Sequence, residues 1–361
     1  MISAKQKRAL FQILPFGIIP AIFSAVHVIL EKGILGDYPV YPSTGNPFDS
    51  NILISVLTSL AIGLLIGSFD VFYINNWFRN RRFYEKIIFK SFVYTLTIIL
   101  ASVIIISLGH ATSQNVGIFS STVWNFLRSF FTNFVFWTII CYYGLAIIFS
   151  LFYKEVSDNM GHSISLSFFT GKYHQPTSEQ RVFMFLDMKS STTHAEQLGH
   201  IKYFQMLKEY YEDISDPILI HDGEIYQYVG DEIVISWKTN KGVTTNALDC
   251  FFKMKDVLIS LQPKYQDKYG LIPTFKAGVH FGNVTTGEIG LLKKEIVFTG
   301  DTLNTTARIQ SLCNDHGVDL LASGDFTRSL KQNDAYEFQP LGTFQLRGRN
   351  EGMELYRVIP F

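Results

Sequence analysis

Charge is scarce in this chain of 361 residues: only 17 % of positions are Asp, Glu, Lys or Arg, against about 25 % in ordinary soluble proteins. That excludes a uniformly soluble protein of this length. Net charge is missing as well, with 31 basic residues against 31 acidic ones. A strongly basic nucleic-acid binder is therefore excluded, and no nucleic-acid partner is expected; an acidic disordered tail is excluded on the same ground. Cysteine is rare. Cys141, Cys250 and Cys313 have no paired spacing, so neither a disulfide framework nor a cysteine-based zinc site is implied.

What is present is unevenly distributed. Residues 1–160 carry 11 Lys plus Arg and 7 Asp plus Glu, a net of +4, and the remainder carries 20 against 24, a net of −4. The first part is a membrane composition. Four apolar stretches, residues 10–30, 52–74, 87–108 and 130–153, have the roughly 20 residues that a spanning helix needs. Pro15 and Pro20 would kink the first without forbidding it. That stretch is too long for a signal peptide, and no small-residue cleavage pattern follows it.

Lys and Arg mark the cytoplasmic side of short loops. Lys5, Lys7 and Arg8 precede the first span, and Arg79, Arg81, Arg82 and Lys86 follow the second. The loops at 31–50 and 109–129 hold one basic residue each. Both termini of an integral membrane protein are thus placed in the cytoplasm, with membrane lipid as a partner. His27 and His110 fall in or beside spans, but no second ligand stands at a metal or haem spacing. Trp77, Trp124 and Trp137 read as interfacial and packing aromatics. Whether the four-helix domain is an anchor or meets an unknown ligand or partner stays open.

After Tyr153 the chain turns polar. Residues 154–180, with Gly161, Gly171 and Pro176, read as a helix leaving the membrane and then a connector, suited equally to transducing a signal or to tethering. The expected domains are 1–153, 154–180 and 181–361. From Arg181 the periodicity predicts a strand at 181–186, a helix at 192–214, strands at 224–229 and 232–237 joined by Gly230-Asp231, a helix at 244–261 and a strand at 275–281. This is the βαββαβ order of a ferredoxin-like α+β fold.

Two carboxylates stand out in that order. Asp187 ends the first strand and opens the Lys189-Ser190-Ser191-Thr192 turn, and Asp231 sits at the hairpin tip. In a ferredoxin-like sheet the first strand lies beside the hairpin, so both can converge on one point, suited to a divalent cation with a phosphate beside it. Either one alone would be turn chemistry. Downstream, Asn304 and Arg308 are four residues apart and share a helical face.

Together these pieces resemble the catalytic domain of class III nucleotide cyclases, the adenylate and guanylate cyclase family. The resemblance is carried by FMFLDMKSST (183–192), YQYVGDEIVISW (226–237), KAGVHFGNVTTGEIG (276–290) and TGDTLNTTARI (299–309). It implies a homodimer with sites between subunits, and a phosphorus–oxygen lyase converting ATP to cyclic AMP and pyrophosphate. Asp187 and Asp231, with the Met188 carbonyl, would bind two Mg²⁺ or Mn²⁺ ions. The amides of Met188 to Thr192 (Lys189, Ser190 and Ser191 between them) would cradle the triphosphate, and Lys276 would add a cation. From the other subunit Asn304 would orient the ribose and Arg308 would stabilise charge on the α-phosphate. Arg347, in LRGRNEG, falls where the family grips the terminal phosphate, with Arg349 close by.

Base recognition departs from the family. Adenylate cyclases usually place Lys three residues before the hairpin glycine and guanylate cyclases Glu; this chain has Gln227. The partner position, commonly Asp or Thr, is Val297. An amide can serve adenine or guanine, so ATP is favoured on family frequency and on the absence of Glu. The alternatives are a guanylate or dual-specificity cyclase and, from another class, a non-catalytic membrane receptor with a nucleotide-binding cyclase-like domain. A GGDEF-type diguanylate cyclase fits less well, since VGDEI lacks the double glycine.

Overall fold

In the computed structural model the described residues are 4–361, apart from 38, 40–46, 79–80, 162–164, 166, 169, 241, 332–333 and 349–350. Arg79, Arg349 and part of the connector therefore lie outside the described residues. The chain divides into two compact units, residues 6–165 and residues 166–361, the latter grouped with residues 1–5.

The first unit is helical: α1 (Ala4–Leu35), α2 (Phe48–Phe69), α3 (Phe83–Ser113), α4 (Ser121–Thr132) and α5 (Phe134–Met160). Among the described residues four segments are long and apolar enough to cross a membrane: Arg8–Leu35, Asn51–Ile74, Phe83–Ile104 and Phe136–Met160. The fourth expected stretch began too early. Residues 130–132 belong to α4, an amphipathic helix that stops at Asn133, whose backbone is extended. Hydropathy cannot see such a break, because α4 and α5 are both rich in aromatics.

Apolar helices approach most closely where one of them carries a small residue. Gly63 of α2 is such a residue: a Cβ there would stand 1.9 Å from the Phe16 carbonyl oxygen of α1. That carbonyl lacks its usual helical donor because the residue four positions on is Pro20. α2 ends in a π-helical turn, Asp70–Ile74, and there the unit buries its charges. The Asp70 carboxylate lies 2.8 Å from Lys90 Nζ and 3.1 Å from Lys154 Nζ, and it accepts a hydrogen bond from the Tyr94 hydroxyl at 2.5 Å. Asn75 accepts from both lysines, and Glu155 pairs with Lys86 at 3.2 Å. Each buried charge has a partner, as the cost of burying an unpaired ion requires.

The second unit is a mixed sheet with helices. β1 (Thr177–Met188) is followed by α6 (Ser191–Leu198), α7 (His200–Asp213) and α8 (Ser215–Ile220), then β2 (Glu224–Val229) and β3 (Glu232–Lys238). Next come α9 (Asn246–Ser260), α10 (Gln262–Tyr269), β4 (Phe275–Ile289), β5 (Glu295–Thr299) and α11 (Asp301–Ser311). β6 (Leu320–Ser323), α12 (Gly324–Ser329), β7 (Tyr336–Phe344) and β8 (Met353–Pro360) complete it. The strand order is β2-β3-β1-β4-β6-β8-β7, with β5 paired to β4. All pairs are antiparallel except β4 with β6.

The helix expected at 192–214 is broken at Gly199 (φ 72°), and the strand expected at 275–281 runs on to Ile289. Its polar second half, NVTTGE, pairs with β1, which lies far upstream in sequence, and forms a local hairpin with β5.

β1 carries a core on each side of the sheet. Val182, Met184, Leu186 and Met188 pack with Met206, Tyr210, Phe251 and Met254, whereas Phe183 and Phe185 pack with Val234, Val284, Phe298 and Leu303. α11 closes the second face, and its approach requires Gly278: a Cβ there would lie 2.5 Å from the Gln310 amide nitrogen. Gly278→Ala is therefore expected to displace α11 and to destabilise this unit by about 1–3 kcal/mol. Denaturant titration of the purified protein measures this, and a loss below half the lower figure would mean that the helix yields freely.

Candidate active site

Asp187 is the last odd-numbered residue of β1, so alternation turns it toward the α11 face. Its cross-strand neighbours are Glu232 of β3 and Lys276 of β4. Two groups hold its Oδ2 atom: Gln310 Nε2 of α11 donates a hydrogen bond at 3.2 Å, and Lys276 Nζ stands at 3.4 Å. Asp231, in the β2–β3 turn, comes within hydrogen-bonding reach of Asp187. Tyr211 of α7 supports this turn by donating to the Gly230 carbonyl at 3.0 Å.

A neighbouring carboxylate opposes the ionisation of Asp187. Burial, and then the Asp231 charge, lift the Asp187 carboxyl above its ordinary value, against the opposing pull of Lys276. Burial with the charges of Asp187 and Asp231 pushes Glu232 up to about 6. The corner thus holds more negative charge than its own lysine offsets, and a hard cation would relieve it. Among the described residues no group of three His, Cys, Asp or Glu could hold a metal. The fit therefore rests on two carboxylates, the adjacent Met188 carbonyl and oxygens from outside the protein, which is how Mg²⁺ is commonly bound beside phosphates.

The turn after β1 is built for an anion. Ser190 adopts a left-handed conformation (φ 57°), and α6 starts at Ser191 with no side-chain cap. The first amides of α6, at Ser191 and Thr192, therefore lack intrahelical acceptors. Lys189 departs from the expected role. Its amide donates to the Thr274 carbonyl at 2.8 Å, so it is spent on holding the turn to the start of β4. Its ammonium pairs with Asp319, which also takes Lys255 at 2.7 Å. Lys276 and Ser190 line an open pocket of about 290 Å³ with Asn314 and Gly317.

The other expected residues form a second group. Thr302, Thr305, Thr306, Ile309 and Gln310 bury one side of α11, leaving Asn304 exposed and Arg308 half-buried. The Arg308 guanidinium packs against Gly348, next to the exposed Arg347, and its buried Nη1 atom has no hydrogen-bond partner among the described residues. No hydrogen bond or ion pair among the described residues joins Asn304, Arg308 or Arg347 to Asp187 or Asp231. Gln227 is exposed on β2, and Val297 is half-buried on β5. The rings of their neighbours Tyr226 and Phe298 meet edge to face at 4.8 Å, with the Phe298 amide donating to the Tyr226 hydroxyl at 3.3 Å, which ties these two edge strands together.

Sequence reasoning missed Gln310 and Glu232. Glu232 is legible in hindsight as the residue after Asp231. Gln310 is not, because it lies on the α11 face opposite Asn304 and its partner Asp187 is 123 positions away.

Residues 173–359 match the family described as the adenylate and guanylate cyclase catalytic domain. Adenylate cyclase 2 of Rhizobium meliloti (strain 1021) is 34 % identical over 202 residues, 56 % of this chain and 56 % of that protein. Adenylate cyclase 1 of the same organism is 31 % identical over 183 residues, 49 % of this chain and 27 % of that protein. The match thus spans little more than half of the first relative and about a quarter of the second. A solved bacterial light-regulated adenylyl cyclase shares the fold, with a TM-score of 0.53 at 18 % identity over 63 % of this chain and 66 % of that one. With the family match covering more than half of its length, the chain belongs to the family of adenylate and guanylate cyclase catalytic domains.

Proposed function

We propose that this protein is a membrane-anchored adenylate cyclase that converts ATP to 3′,5′-cyclic AMP and pyrophosphate in sites shared between two chains. The observation that carries the reading is the convergence of Asp187 and Asp231 beside the uncapped start of α6. The name adenylate cyclase on both Rhizobium relatives supports ATP.

Asp187, Asp231 and the Met188 carbonyl would hold two Mg²⁺ or Mn²⁺ ions. When bound, these supply the acidity of the ribose 3′-hydroxyl and offset charge on the departing pyrophosphate. The Ser191 and Thr192 amides, with the Ser190 hydroxyl, bind phosphate oxygens, and Lys276 adds positive charge beside Asp187. From the partner chain Asn304 orients the ribose, and Arg308, whose Nη1 has no hydrogen-bond partner among the described residues, meets charge developing on the α-phosphate. Arg347, adjacent to Gly348, reaches the terminal phosphate. Gln227 faces the base, with Val297 as an apolar wall.

The division of catalytic groups into two separate sets on one chain supports the homodimer. We read the first four strands as the ferredoxin-like module, residues 181–361 as the catalytic domain, 154–180 as the connector and 1–153 as four membrane spans with both termini cytoplasmic. Product would then appear in the cytosol.

Three outcomes are expected. Asp187→Ala and Asp231→Ala each abolish cyclic AMP formation, yet an equal mixture of Asp231→Ala and Arg308→Ala chains recovers about a quarter of wild-type turnover, because half the dimers are mixed and each has one intact site. A mixture as inactive as its components would remove the shared-site reading. With ATP and GTP competing in one assay, cyclic AMP is expected to dominate; predominant cyclic GMP would make the protein a guanylate cyclase. Gln310→Leu, which frees the Asp187 carboxylate to rotate, is expected to weaken Mn²⁺ binding about ten-fold. Calorimetric titration without nucleotide reads this independently of turnover, and unchanged affinity would leave Gln310 with a packing role only.

A further inference from the structure

The helical unit encloses a cavity of about 320 Å³, to which all five of its helices contribute. Its walls are mostly apolar, among them Phe16, Ile66, Ile98, Phe136 and Ile147. Among the described residues no Asp, Glu, Lys, Arg or His lines it. The buried charges of the unit, Asp70, Lys90, Lys154 and Glu155, are gathered elsewhere, around the π-helical turn.

One part of the cavity is polar. The Tyr143 hydroxyl lies 3.0 Å from Ser59 Oγ and donates to Ser24 Oγ at 3.2 Å. Ser24 is fully buried and Ser59 nearly so, at 6 % exposure. Three linked hydroxyls have more acceptor lone pairs than donor protons among themselves, and their protons can reorient toward a newcomer. On the other side the cavity reaches the outer surface of the bundle. Thr58 and Ile62, which line it, are exposed on α2.

An apolar space of this size, left unfilled, forfeits the dispersion contacts of its whole lining. It has room for about ten water-sized groups, yet it offers them few hydrogen-bonding partners. A lipid-soluble chain fits that lining, and the hydroxyl cluster fits one oxygen. The absence of any cation argues against a carboxylate or phosphate head, which would enter the low-dielectric interior unpaired. A pocket of this kind, apolar with a few convergent polar groups between helices, is the usual form of a small-molecule site.

We propose that the cavity binds an uncharged, lipid-soluble amphiphile with a single hydroxyl or carbonyl oxygen, of the long-chain alcohol or ketone class. It enters from the bilayer past Thr58 and Ile62 and hydrogen-bonds to the Tyr143–Ser59–Ser24 cluster. The proposal rests on the membrane reading of residues 1–153 and is independent of the cyclase chemistry.

The test uses the full-length protein in lipid nanodiscs with three photoactivatable probes: a long-chain primary alcohol, the matched alkane and the matched carboxylate, each with a mid-chain diazirine. Labelling by the alcohol is expected to concentrate on peptides carrying Thr58, Ile62, Ile139 and Ile140 and to be displaced by unlabelled alcohol. Tyr143→Phe, which changes no volume beyond the hydroxyl, should lower alcohol labelling at limiting probe about five-fold, the worth of one hydrogen bond, and leave alkane labelling unchanged. Ile140→Trp fills the space and should lower both; if that variant misfolds, Tyr143→Phe still decides. Even labelling of all lipid-facing residues, indifference to Tyr143→Phe, or carboxylate labelling equal to that of the alcohol would overturn the proposal.

Discussion

The register of β1 is the constraint on which the catalytic unit depends. β1 lies between β3 and β4 at the middle of the sheet, and its even and odd residues feed two separate cores. A slip of one residue would exchange the two sets and turn Asp187 away from α11. Four fully buried side chains on one face, each worth about 1.5–3 kcal/mol, oppose that slip. The same packing that stabilises the sheet therefore sets the direction of the Asp187 carboxylate. The site inherits its precision from a hydrophobic core rather than from polar contacts of its own.

α11 carries a double duty. Its buried side lies against β4, close enough that Gly278 must be a glycine, and there Gln310 holds Asp187. Its other side presents Asn304 and Arg308 away from that corner. In the proposed dimer each such helix would steady the metal corner of its own chain while completing the site of its partner. The corner is also the least comfortable place in the unit electrostatically. Asp187, Asp231 and Glu232 crowd together, and the carboxyls of Asp187 and Glu232 are made weaker acids than usual, by burial and then by the charge of neighbouring carboxylates. Such strain at a functional site is the usual counterpart of a preorganised cation site.

The helical unit solves a different problem with the same economy. Asp70 gathers Lys90, Lys154, Tyr94 and, through Asn75, the turn that ends α2. Charges this deep are tolerated only in mutual company. They tie α2, α3 and α5 at one place, and the hydroxyl-lined cavity lies among helices that this cluster holds together.

Four helices long and apolar enough to cross a membrane, the strand–helix order and the Asp187, Asp231, Asn304 and Arg308 positions could be read from the sequence because each depends on local periodicity or on a motif a few residues long. Hydrophobic length declares a span, and alternation declares a strand. Other features could not be read this way. The polar half of β4 is a strand because β1, far upstream, pairs with it, and the Lys189 amide and ammonium are taken by Thr274 and Asp319. Gln310 reaches Asp187 only because Gly278 lets two backbones approach. By itself the sequence determined which chemistry was available and on which elements it sits. Only the tertiary structure decided which groups meet, since pairings across more than a hundred residues are set by packing, and no local pattern records them.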